Sequence, residues 1–137
     1  MARFDMTGLD ELMQDMERKG QLVGEVADQM IAAGAEEVVN AWKTKAAQFT
    51  KSRPRAHGDM AASVKSGGSI RGGNVTYAEI APQGTDRKGV RNAEKAFILH
   101  YGKKGYPATH WVDEAEDAAK GPVQQRFEAI WDAFLNS

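Results

Sequence analysis

The chain has 137 residues, 42% of them apolar and 27% charged, with no cysteine and a formal net charge of −1. That length supports one domain with one modest core, and the composition excludes wholesale disorder. The missing thiols exclude disulfides, cysteine nucleophiles and thiolate-bound zinc or iron–sulfur centres.

The opening residues, MARFDMTGLDELMQDME, are acidic and amphipathic. They predict a short helix over 8–19, capped by Thr7 with Asp10 three residues on and stopped by Gly20. Neither a signal peptide nor a transmembrane span is expected, which places the chain in the cytoplasm.

Leu22, Val26, Met30, Gly34, Val38, Trp42, Ala46 and Phe49 then recur at mostly four-residue steps, so a long helix spans 20–50 with one apolar stripe. Gly24 and Gly34 weaken it by roughly 1 kcal/mol each against Ala, which suits either a bend or a close neighbour. The loop TKSRPRAHGD follows, because Pro54 disfavours helical geometry at Arg53.

Residues 59–82 alternate weakly and carry two glycine doublets, which predicts two or three short antiparallel strands with glycine-rich turns. Residues 83–91, QGTDRKGVR, form a second basic loop. Over 93–101 the signals conflict: Asn92 and Gly102 bracket a short helix, whereas Phe97, Leu99 and Tyr101 alternate as in a strand. The helix is preferred, with Phe97, Ile98 and Leu99 buried and Lys103–Tyr106 an exposed basic turn. Val112, Ala115, Ala119, Val123, Phe127, Ile130 and Phe134 hold helical phase across Gly121–Pro122 and predict a C-terminal helix over 109–135, kinked or in two nearly collinear parts. Altogether the pattern is a single α+β domain over 1–137, with the long N-terminal helix and the kinked C-terminal helix packed on a small antiparallel sheet of about three strands.

Charge is unevenly placed: residues 1–40 carry −6, residues 41–110 carry +9 and residues 111–137 carry −4. Such polarity suits a basic face for a polyanion, or acidic ends that meet the basic faces of neighbouring copies. Acidic helices lying beside basic loops within one molecule would give the same pattern. Lys51, Arg53, Arg55, Arg87, Lys88, Arg91, Lys103 and Lys104 all fall in predicted loops and form the candidate basic surface, facing a subunit or DNA.

No catalytic motif accompanies them. His57, His100 and His110 lack ligand spacing, so no metal is expected, and the acids at 113, 114, 116 and 117 suit the positive end of a helix. Ser63, Ser66 and Ser69 match no nucleophile motif, and Gly67–Gly73 lacks the Lys-Ser/Thr of a phosphate cradle, so neither a catalytic site nor a cofactor is expected. The three tryptophans fit helical stripes or their edges.

In order, GLDEL at 8–12, the long amphipathic helix, HGDMAASVK at 57–65, VTYAEIAP at 75–82, then AFILHYG and PATHWVDEA resemble the gene-product-10-like minor tail component family of HK-type siphophages. His57 and Lys103 stand where that family commonly has Thr. The resemblance implies a non-enzymatic structural protein of a phage or prophage, acting at the head–tail junction in tail completion or head–tail joining. It also implies other head–tail or tail proteins as partners, a homo-oligomeric ring, and location in the host cytoplasm and then in the virion. Basic loops facing the lumen would touch genomic DNA without reading its sequence; no membrane and no small-molecule substrate is expected. The alternative, from the +9 block, is a small non-specific nucleic-acid-binding protein using its basic central loops.

Overall fold

The computed structural model describes residues 20–51, 53, 58–72 and 75–136. The expected helix over 8–19 and the residues Arg55 and His57 lie outside them. The α+β class is as the sequence implies: α1 (Gly20–Thr50), α2 (Asp59–Ala62), β1 (Val64–Ser66), β2 (Ile70–Gly72), β3 (Val75–Tyr77), β4 (Ile80–Pro82), α3 (Asn92–Tyr101) and α4 (Trp111–Leu135). Among the described residues no helix is long and apolar enough to cross a membrane.

The principal contact is between α1 and α4. Their apolar stripes face one another: Val26, Ala33, Ala35 and Ala46 are buried on α1, and Ala115 and Ala119 on α4. Gly34 is the close-approach glycine, since a Cβ there would lie 2.7 Å from Phe127 Cε1 and 3.4 Å from Val123 Cγ1. Arg126 on α4 fastens the rim by donating to Glu37 at 3.1 Å and Glu36 at 3.2 Å. Pro122 sits inside α4, which runs unbroken through it. The carbonyl that Pro122 leaves without a donor belongs to Ala118, which is exposed to water.

The segment expected to be strand over 59–82 opens instead with the short helix α2, because Met60 and Ala61 turn into the core together. Four strands rather than about three follow, as two antiparallel ladders, β1–β4 and β2–β3, of one long hairpin. Val64 pairs with Pro82 and Ile70 with Tyr77. Between the ladders the first arm has residues 67–69 and the second only 78–79, so one extra residue offsets the register as a bulge does. Ser69 Oγ donates to Asp28 on α1 at 2.8 Å and seats the ribbon.

The central core joins the C-terminal half of α1 to α2, α3 and the start of α4: Ala46, Met60, Ala61, Ala96, Leu99 and Trp111, with Trp42, Phe49 and Val112 against it. Trp111 is 0% exposed, donates from Nε1 to the Ala96 carbonyl at 3.1 Å, and meets Trp42 edge-on at 5.4 Å. The C-terminal helix begins at Trp111 rather than at 109. Thr109 cannot join it, because both its N–H (3.0 Å) and its hydroxyl (2.7 Å) donate to the Leu99 carbonyl.

Candidate interaction surface

The segment 93–101 is helical, which settles the conflict between period two and period 3.6 and changes what faces water. Successive residues on a helix diverge by about 100°, so three in a row cannot all point inward. Leu99 is buried, Ile98 is half-buried, and Phe97 is 63% exposed, correcting the expectation that all three are buried. One turn on, Tyr101 is 60% exposed and its ring lies 4.7 Å from that of Phe97. The exposed pair escapes sequence reading because the run FILHY satisfies both templates.

Gly102 then ends α3 with φ 80° and ψ 170°, donating to the Ile98 carbonyl at 2.7 Å. Lys103 and Tyr106 exchange backbone hydrogen bonds of 2.9 and 2.8 Å around Lys104–Gly105, giving the expected exposed basic turn. The Tyr106 ring gathers two cations: the Arg53 guanidinium carbon at 5.4 Å and Lys103 Nζ at 5.1 Å from its centroid. Arg53 arrives there because its N–H bonds the Thr50 carbonyl at 3.0 Å, prolonging the end of α1.

Among the predicted basic residues the structure therefore brings Arg53 and Lys103 together. Lys51, Lys88, Arg91 and Lys104 are exposed. Arg87 is committed elsewhere: Nε and Nη2 donate to the two Asp59 oxygens at 2.9 and 2.8 Å, and its backbone N–H adds a third bond at 3.1 Å. Arg91 bridges to Thr85 through the backbone at the neck of the 83–91 loop.

This loop is internally organised. Asp86 accepts the Lys88 and Val90 N–H groups, each at 2.9 Å, and Lys95 Nζ at 2.8 Å. These bonds, Lys95 foremost and then Val90, hold the Asp86 carboxyl down at about 2, and Arg87 holds Asp59 well below the usual carboxylate range. Both line a shallow, open depression with Ser63, Gln83 and Asn92. The hydrogen bonds from Arg87, Lys88, Val90 and Lys95 commit both carboxylates to the 83–91 loop, so together they tie it to α2 and α3. Asn92 donates from Nδ2 to the Gln83 carbonyl at 2.8 Å, while its buried Oδ1 has no partner among the described residues.

The sign of the acid response follows. Both carboxylates are more acidic folded than unfolded, so their contribution is present above the ordinary value of 3.8; that of Asp86 is lost as pH falls through about 2, and that of Asp59 persists to lower pH. Thermal melts should drop through that window, and Asp86→Asn should start lower and drop less steeply. An identical acid profile in the variant would contradict the tie.

No known protein family, curated protein or solved structure matches the chain.

Proposed function

We propose that this chain is a non-enzymatic structural protein of a phage or prophage, joining neighbouring subunits at the head–tail junction during tail completion or head–tail joining. The reading rests on the resemblance of the ordered motifs from GLDEL to PATHWVDEA to that tail-component family. The observation that carries the docking role is the pair Phe97–Tyr101, rings in tilted contact and each more than half exposed on α3, next in sequence to the basic turn that holds Tyr106. Aromatic anchors with an arginine at hand are the composition of interface hot spots. The charge blocks supply a complement, because acidic residues within 1–40 of a neighbouring copy, other than the Glu36 and Glu37 that Arg126 holds, can meet the basic turn. Repeated around an axis, such head-to-tail contacts close a ring.

The second reading, non-specific contact with nucleic acid, is favoured by Arg53 and Lys103 converging on Tyr106, a cationic aromatic unit able to stack on a base. A mobility shift with duplex DNA that stays absent at low salt would remove it.

The docking role is tested by recovering particles from a host that carries the gene with Phe97→Ala and Tyr101→Ala together. Both side chains are largely exposed, so the variant should keep its far-ultraviolet dichroism. Its recovery with particles should fall at least about tenfold, as expected when hot-spot anchors are truncated. Recovery equal to wild type would overturn the role.

A further inference from the structure

We propose that the junction between α3 and α4 is a site for a divalent transition metal, zinc above all, held by His100, His110 and Asp113. One ligand atom from each of these residues lies within 4.8 Å of those of the other two. The two imidazoles stand edge-on with centroids 5.1 Å apart. Two imidazoles and one carboxylate make a donor set of the right hardness for zinc, and the exposure of His110 and Asp113 leaves open positions for water.

The backbone fixes this arrangement before any ion arrives. His110 is the one non-glycine residue with positive φ among the described residues, at 52°, and its N–H donates to the His100 carbonyl at 3.1 Å. Thr109 is pinned to Leu99 by its two hydrogen bonds, so the chain returns to the end of α3 in a set register. His100 itself is 9% exposed, so its ring is held by packing at the end of α3.

The ring nitrogens are distinguishable. His100 Nδ1 accepts the Val112 N–H at 3.3 Å, so the ring proton sits on Nε2 and the lone pair at Nδ1 faces the start of α4, where Asp113 lies. That nitrogen has a single lone pair, so a metal at Nδ1 would displace the Val112 hydrogen bond. The positive end of α4 opposes a cation, and Asp113 and Glu114 in its first turn offset that field. Bound there, the ion clips the end of α3 to the start of α4 across the basic turn. The inference stands independently of the assembly role.

The test titrates Co²⁺ into the chelator-stripped full chain, following visible absorption, and then displaces it with Zn²⁺. One ion per chain is expected, with zinc raising the melting temperature. His110→Gly takes the left-handed position without strain, and Asp113→Asn alters an exposed side chain; each should weaken binding at least about tenfold and abolish the thermal shift. His57→Ala should bind as wild type does. Absence of binding at millimolar metal, or equal binding by His110→Gly and Asp113→Asn, would overturn the site, and far-ultraviolet dichroism of each variant verifies its fold.

Discussion

Replacing Trp111 with Ala should cost about 3–5 kcal/mol, as truncating a large aromatic in a packed core does. Among the described residues Trp111 is the largest fully buried side chain, and it stands where α1, α3 and α4 meet: it meets Trp42 of α1, donates to the Ala96 carbonyl of α3, and starts α4. Its neighbours include alanines 46, 61 and 96, whose short side chains cannot move into the vacated space. For a domain of this size the loss corresponds to a fall in melting temperature of roughly 10–20 °C. Trp111→Phe retains most of the volume and forfeits the indole N–H bond, so it should cost about 1–2 kcal/mol. Urea unfolding followed by far-ultraviolet dichroism measures both. A loss below about 1 kcal/mol for the alanine variant would mean that the core is not organised around this residue.

Gly102→Ala should be the most damaging single-methyl change in the loop. Its backbone, φ 80° and ψ 170°, lies in a region open essentially to glycine alone, and entering it costs other residues about 1–3 kcal/mol. A Cβ there would also stand 2.7 Å from the Ala108 nitrogen and 2.8 Å from the Tyr106 carbonyl oxygen. Both are main-chain atoms, so relief requires moving the turn that carries Lys103 and Tyr106. The internal control is Gly105→Ala: φ is 84°, yet no atom lies within 4 Å of the added carbon. That variant should lose only about 1–2 kcal/mol, the left-handed penalty without the clash. Equal destabilisation of the two variants would show that conformation alone, and not close approach, selects glycine at 102.

The two long helices were legible because their stripes repeat over many turns, and repetition separates period 3.6 from period two. Gly34 was legible in part: a glycine in the middle of an apolar stripe suits a bend or a close neighbour, and the approach of Phe127 selects the second. Short elements gave no such repetition. Asp59–Ala62 is barely one turn, too brief for any period, and the strands are three residues each, so the bulge between the two ladders leaves no pattern. Phe97 was misplaced because a compact apolar run looks buried until the helix rotates one of its members outward.

The candidate surfaces divide in the same way. That Lys103–Tyr106 forms a basic turn could be read from Lys-Lys-Gly, whereas Arg53 meeting Lys103 over one ring depends on α1 ending beside that turn. Arg87 looked as available as the others and is instead held by Asp59, a partner 28 positions away. His100 and His110 failed every helical-spacing rule for a metal pair because a loop, not a helix, brings them together.

The central claim, a structural part of a particle, is met most directly by quantitative mass spectrometry of purified virions from an induced host carrying this gene. The assembly reading predicts that the chain copurifies at one fixed copy number per particle, constant between preparations, as a single ring at the head–tail junction requires. Its complete absence from intact, infectious particles would contradict that reading.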